Sequence, residues 1–98
     1  MEPSEAIQQL DLAVARVTGA EAHAGARGQS ALLTLDLGQR GTAQSPLPVL
    51  LETAESLVGR QVICAVGTAV QVLSVHSHAA GLVVLQPAQE VEDGSPVA

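Results

Sequence analysis

The stretch GTAQSPLPVLLETAESLVGRQVICAV, residues 41 to 66, decides the fold. Its first part, Thr42 to Leu51, contains Pro46 and Pro48. Proline has no backbone N–H to donate to a neighbouring strand, so it is confined to sheet edges and irregular strands. This part of the chain therefore predicts an edge strand.

The second half of the stretch predicts a short helix and then a buried strand. Glu52 to Val58 reads ETAESLV, with Thr53 as the expected N-cap and Gly59 in the usual position after a helix. Gln61 to Val66 is mainly apolar and predicts a strand. The order within the stretch is edge strand, helix, strand.

Alternating apolar residues predict the strands on either side of this stretch. They are Leu10 to Val17, Ser30 to Leu37, Val70 to Val75 and Leu82 to Leu85. The pattern alone is compatible with a small β-barrel or a sandwich. A helix before the fourth strand favours an OB-fold, so we predict one all-β domain over residues 1–98, a five- to six-stranded small barrel with one short helix.

Composition limits both the core and the ligand. The chain is 47% apolar but has no aromatic residue, so its core is built from small side chains. A core of this kind in 98 residues predicts a homodimer, because a second copy buries further apolar surface. Four arginines, no lysine and a net charge of −6 argue against a large nucleic-acid-binding surface and against an anionic membrane.

The compartment is predicted from two features. Cys64 is the only cysteine, which excludes an internal disulfide and fits a reducing environment. The first ten residues, MEPSEAIQQL, are acidic and lack the basic, apolar pattern of a signal peptide. We therefore expect a cytoplasmic protein without a membrane partner.

No catalytic or metal-binding constellation stands out, so we expect a non-enzyme without cofactors. His76 and His78 share one face of an extended segment, but no cysteine or carboxylate lies near them in sequence to complete a metal site. Cys64 alternates with apolar residues and is expected to be buried and inert. Asp36 is expected to bond to the turn at Gly38.

Several segments together resemble the CsaA family, whose members carry a tRNA-binding-type domain. Residues 20–38, AEAHAGARGQSALLTLDLG, are similar to the family pattern A-E-x-x-x-x-A-R followed by a strand ending I-D-F-G. The residues that match this pattern are Ala20, Glu21, Ala26, Arg27, Leu33, Asp36 and Gly38. Leu10-Asp11, Gln44-Ser45, residues 57–66 and residues 82–97 resemble other family segments in the same order.

The resemblance implies an OB-fold homodimer related to structure-specific tRNA-binding proteins and to the C-terminal domain of bacterial methionyl-tRNA synthetases. CsaA proteins are also described as export chaperones that bind unfolded peptides. Two departures from the family pattern argue against RNA binding. The family has lysine at the positions of Leu32 and Ala43, and only residues 67–69 remain of its arginine-containing loop after Val66. OB-folds commonly bind oligonucleotides near that loop.

Three functions remain open from the sequence: a weak tRNA binder, a chaperone-like peptide-binding module, and a homodimeric structural or partner-binding subunit without a nucleic-acid ligand. For RNA or peptide, the candidate contacts are Arg27, Arg40, Gln44, Ser45 and Arg60. For the dimer interface they are Leu82, Val84, Leu85, Pro87 and Val91. We expect RNA binding to be weakened or lost, because base-stacking aromatic residues are absent.

Overall fold

The structure, a computed structural model, describes residues 2–25 and 27–98. Its elements in chain order are α1 Pro3–Gln9, β1 Leu12–Ala22, β2 Ala31–Asp36, a 3₁₀ turn Gly38–Arg40, β3 Thr42–Leu47, α2 Leu51–Glu55, β4 Gln61–Val66, β5 Val70–Val72, β6 Ser74–Ser77 and β7 Gly81–Val84. Ala26, one of the residues that match the CsaA pattern, lies outside the described residues.

Five antiparallel strands form a nearly closed barrel in the order β3-β2-β1-β4-β5. The long β1 pairs with two neighbouring strands. Its first part pairs with β4, and its second part pairs with β2. Arg16 belongs to both ladders, opposite Gln61 and Asp36. A register shift between Val17 and Gly19 bends β1 at that point, as bulges do. The predicted OB-like small barrel is confirmed.

The core fills the barrel with alanine, valine and leucine, and Leu33, Leu35 and Leu47 are its largest fully buried side chains. Helix α2 closes one end of the barrel by burying Ala54 and, just beyond its last turn, Leu57. These buried side chains form one continuous cluster.

The remaining two strands form a separate hairpin, β6–β7, with Val75 opposite Val83. Side chains alternate between the two faces of a strand. Leu82 and Val84 pack against the barrel core, whereas Val83 lies on the exposed face. The hairpin therefore has one covered face and one open face.

The structure corrects four local predictions. A helix, α1, precedes the barrel, and Pro3 in its first turn is the signal that was overlooked. β1 runs from Leu12 to Ala22, well beyond the predicted end at Val17. Thr53 is not the N-cap of α2, because the helix begins earlier and Leu50 holds that position without a side-chain bond. The strand predicted from Val70 to Val75 is two strands, β5 and β6, separated at Leu73.

Two local predictions are confirmed. Asp36 Oδ1 accepts a hydrogen bond from the Gly38 N–H at 2.8 Å. Cys64 is fully buried, and burial raises the pKa of its thiol.

Of the helices that the structure describes, none is long and apolar enough to cross a bilayer.

Candidate functional site

Arg40, a candidate phosphate contact, is engaged with Asp11. Its Nη1 donates to Asp11 Oδ1 at 2.9 Å, and its Nη2 donates to Oδ2 at 2.6 Å. Two parallel bonds of this kind are the strongest geometry between a guanidinium and a carboxylate. The hydrogen bonds from Arg40 lower the pKa of Asp11 below its ordinary value. A phosphate would have to displace this carboxylate to use Arg40.

Arg16, which the sequence did not single out, is engaged in the same way. Its Nη1 donates to Glu90 Oε1 and to the Gly59 carbonyl, both at 2.8 Å, and its Nε donates to Asp93 Oδ2 at 3.2 Å. The hydrogen bond from Arg16 lowers the pKa of Glu90. A second guanidinium is thus neutralised within the chain.

These ion pairs predict a loss of stability in acid. The pKa values of Asp11 and Glu90 are lower in the folded protein than in the unfolded chain, where they are ordinary. Their contribution is therefore present above the unfolded pKa of about 4 and is lost as the pH falls through the lower folded pKa. We expect the free energy of unfolding, measured by urea denaturation, to fall from about pH 5 to pH 2.

Asp11→Asn should make that decline shallower, because one of the titrating partners is gone. Glu5→Gln, a change at an exposed carboxylate on α1, is the matched control and should leave the decline unchanged. A decline that is equally steep in wild type and Asp11→Asn would contradict the role of this pair.

The C-terminal segment, residues 90–97, is held against the barrel by Gln61 of β4 and by backbone bonds to β1. The Gln61 Nε2 donates to the Val91 carbonyl at 2.6 Å and to Asp93 Oδ1 at 2.8 Å, and its Oε1 accepts from the Val91 N–H at 3.1 Å. Backbone bonds continue the contact, with the Gly94 N–H donating to the Val14 carbonyl at 2.6 Å. The acidic tail therefore lies where it neutralises Arg16 and is not a free extension.

Arg27 and Arg60 are the arginines without an acidic partner among residues 2–25 and 27–98. Both are exposed. Arg60 lies beside Val17, whose N–H donates to the Arg60 carbonyl at 2.9 Å, whereas Arg27 lies in the loop beyond Ala22. Val17, beside Arg60, and Ala22, before the loop of Arg27, are five residues apart on β1. This is about 17 Å at 3.3 Å per residue. The two arginines do not form one cationic site.

Gln44 and Ser45, the other candidate ligand contacts, point in opposite directions on β3. Gln44 is exposed, whereas Ser45 is fully buried. The Ser45 hydroxyl accepts from the Val72 N–H at 3.1 Å and donates to the Pro46 carbonyl at 3.3 Å. Because Val72 belongs to β5, this bond joins the two edge strands of the barrel. Ser45 is thus a barrel-closing residue that does not face a ligand.

An apolar groove of about 190 Å³ lies between α2 and the hairpin. Its walls are formed by side chains or backbone of Leu47, Val49, Thr53, Leu57, Leu82, Val83, Val84 and Gln86. Leu47 and Leu57 belong to the core, and the groove is the place where the core reaches the surface. Such a surface fits apolar side chains better than it fits phosphates.

A more polar cleft of about 280 Å³ adjoins this groove. Its lining residues are Gly59, Arg60, Gln61, Gln86, Pro87, Gln89 and Glu90. Gln86 lines both depressions, so the apolar groove continues into a region with a guanidinium and several amides. The sequence reasoning missed this groove, because its walls come from β3, α2 and β7.

The candidate dimer residues do not share one face. Leu82 and Val84 pack on the core, and Pro87 and Val91 are half-buried. Leu85 is 37% exposed and lies on the open face of the hairpin with Val83 and Val75, which are 42% and 48% exposed. The open face of the hairpin is thus formed by Val75, Val83 and Leu85.

The shortened connection between β4 and β5 is a tight turn, with the Gly67 N–H donating to the Ala69 carbonyl at 3.0 Å. It carries no basic side chain. In the described part of the chain, no three histidine, cysteine, aspartate or glutamate side chains lie close enough to hold a metal ion.

Solved structures show what the fold is similar to. A CsaA chaperone from Bacillus anthracis str. Ames is 29% identical, with a TM-score of 0.82, over 100% of this chain and 99% of its own. A CsaA chaperone from Picrophilus torridus is 19% identical, with a TM-score of 0.82, over 100% of both chains. A MetRS related protein from Pyrococcus horikoshii is 14% identical, with a TM-score of 0.79, over 100% of this chain and 98% of its own.

The structures from Picrophilus torridus and Pyrococcus horikoshii establish the tRNA-binding-domain-like fold. The structure from Bacillus anthracis is similar to this chain in sequence as well as in fold. The resemblance to the CsaA-like tRNA-binding-domain family, drawn from motifs along the chain, is thereby confirmed. No protein-family model matches the chain, and no curated protein matches it either.

Proposed function

We propose that this CsaA-like chain is a non-enzymatic chaperone module that binds non-native polypeptide, and that its affinity for tRNA is weak. The observation that carries the proposal is the pairing of Arg16 and Arg40 with carboxylates of the same chain. Nucleic-acid affinity depends on cations that are free to neutralise phosphates. The two arginines that remain lie far apart on a chain of net charge −6.

The apolar groove supports the polypeptide alternative. It is lined by leucine and valine side chains, and it lies beside a hairpin whose open face is also apolar. Unfolded chains differ from folded ones mainly in the apolar side chains and backbone groups that they expose. A binding surface of this composition is suited to them, as the names of the CsaA chaperones of similar structure suggest.

The experiment is a binding titration with reduced, alkylated ribonuclease A, which stays unfolded in native buffer. We expect saturable binding in the micromolar range, about −8 kcal/mol, and no binding to the same protein in its native form. Thr53→Glu places a charge at the exposed wall of the groove and should weaken binding about tenfold. Thr18→Glu, an exposed change on β1, is the matched control. Equal binding of native and unfolded ribonuclease would refute the proposal.

We also propose that two copies associate through the open face of the hairpin. Val75, Val83 and Leu85 are exposed large apolar side chains on one face, and such surfaces commonly mark interfaces. We predict a dimer in sedimentation velocity at micromolar concentration. Val75→Asp, which places a charge on that face without entering the groove, should shift the protein towards the 9.9 kDa monomer. A monomeric wild-type protein would contradict this assignment.

A further inference from the structure

We propose that the free edge of β7 receives an added strand from an extended, mainly apolar segment that carries one carboxylate, and that Arg60 binds this carboxylate. The inference rests on the proposed polypeptide binding and specifies both the mode of binding and the chemistry of the segment.

The backbone of β7 is available for strand addition. The Leu85 N–H donates to the Leu73 carbonyl at 3.0 Å, so the Leu85 N–H faces the strand opposite, while the Leu73 N–H and the Leu85 carbonyl bond to Ile63. Hydrogen-bonded and non-bonded pairs alternate along an antiparallel ladder. Leu82 and Val84, at the intervening positions, therefore direct their N–H and C=O groups away from β6. Within the described chain, no backbone partner outside the hairpin satisfies them.

The apolar groove receives the side chains of the added strand. Leu82 and Val84 line it from one side, and Leu47, Val49 and Leu57 line it from the other. Side chains of an added strand alternate between its two faces, so every second residue would enter the groove. β7 reads Gly-Leu-Val-Val, and it lacks the charges and prolines that usually protect an edge strand from pairing.

Charge determines which segment fits. Gln86 follows β7 and lines both the apolar groove and the adjoining cleft that contains Arg60. Arg60 has no acidic partner among the described residues, and Gln89 supplies an amide in the same cleft. Glu90 also lines this cleft, but its charge is engaged by Arg16 at 2.8 Å. A carboxylate that follows an apolar stretch meets an unpaired guanidinium there.

A second copy of this chain does not satisfy the same requirements. If two β7 strands paired with each other, the residues that follow β7 would be Leu85 and Gln86, which offer no carboxylate to Arg60. The occupant is therefore a different polypeptide segment.

The test uses a fluorescein-labelled peptide in which valine and threonine alternate over about six residues before an aspartate, about the length of a typical strand. Both termini are blocked, and a matched peptide has lysine in place of aspartate. We expect the aspartate peptide to bind about tenfold more tightly, and Arg60→Glu to reverse the preference. Arg27→Glu makes the same charge change away from the groove and should leave the preference unaltered.

Strand addition is tested separately by N-methylating single peptide bonds. Methylation removes the N–H donor, so it should abolish peptide binding at every second residue, where the amide faces β7. At the residues between these, where the amide points away from β7, methylation should leave the affinity unchanged. Equal effects at all positions would overturn strand addition. A preference that Arg60→Glu leaves unchanged would overturn the role of Arg60.

These failures are distinguishable from failure of the proposed function. If unfolded ribonuclease A binds but neither peptide signature appears, the inference is wrong and the chaperone function stands. If unfolded ribonuclease A does not bind at all, the proposed function fails. If Arg60→Glu abolishes binding of tRNA but does not change binding of the peptides, Arg60 is a phosphate contact and the inference is overturned.

Discussion

Gly94→Ala is expected to be among the most destabilising single substitutions in this chain, because it separates the C-terminal segment from the barrel. Gly94 has φ +90°, a region that side chains with a Cβ avoid. A methyl group added there would overlap the Leu37 carbonyl oxygen, and one added at Gly38 would overlap the Asp93 carbonyl oxygen. The two glycines let the backbones of the C-terminal segment and of the turn after β2 touch.

Gly41→Ala is the matched control, since Gly41 has φ +93° but nothing within 4 Å of an added Cβ. Gly41 lies at φ +93° and ψ −156°, a region essentially confined to glycine, and both changes incur about 1–3 kcal/mol of backbone strain at a positive φ. Only Gly94→Ala also incurs the overlap, which typically costs about 1–3 kcal/mol more. Urea denaturation should resolve this difference, and the amide of Val97, bonded to the Leu12 carbonyl at 3.0 Å, should exchange faster in Gly94→Ala alone. Equal losses would show that the close approach is unimportant.

Ser45→Ala is expected to destabilise the barrel by about 1–3 kcal/mol, because the buried Val72 N–H loses its acceptor. The bond lies between β3 and β5, where the barrel closes without a continuous ladder. Gln44→Ala, at the adjacent exposed position, should change stability by less than about 0.5 kcal/mol. The measurement is the melting temperature by calorimetry, in which 1 kcal/mol corresponds to about 4–8 °C for a chain of this size. A Ser45→Ala shift as small as that of Gln44→Ala would contradict the closing role.

The fold could be predicted because its signals are local. Alternating leucines marked β2, two prolines marked β3 as an edge, and Gly59 marked the end of the helical region. α1 was missed because a seven-residue helix without a buried face has almost no periodic signal. The direction of Ser45 could have been read from β3, where Ala43, Ser45 and Leu47 share one face and Leu47 must be buried.

The candidate site could be predicted only in part, because the state of each arginine depends on residues far away in sequence. Asp11 lies 29 residues from Arg40, and Glu90 lies 74 residues from Arg16. No local pattern specifies these ion pairs. Net charge predicted a poor nucleic-acid surface, and the structure was needed to separate the paired arginines from Arg27 and Arg60.

The CsaA-like fold is thus retained while two of the cations that could serve nucleic acid are paired with carboxylates of the same chain. The sequence has no lysine, and the structure adds that Arg40 binds Asp11 just before β1 and that Arg16 binds the C-terminal segment. The accessible features that remain include an apolar groove, a free strand edge and the two unpaired arginines, Arg27 and Arg60. This combination favours polypeptide over RNA.

The most direct test of this account is a fluorescence titration of labelled bulk tRNA at salt concentrations around 0.15 M. With two unpaired arginines per chain, the slope of log K against log salt should be no steeper than about −2 for each copy that contacts the RNA, and the dissociation constant should exceed about 1 μM. The variant Asp11→Asn/Glu90→Gln/Asp93→Asn releases Arg16 and Arg40 and should steepen the slope towards about −4. Sub-micromolar binding by the wild type, with a slope that the variant leaves unchanged, would contradict the account.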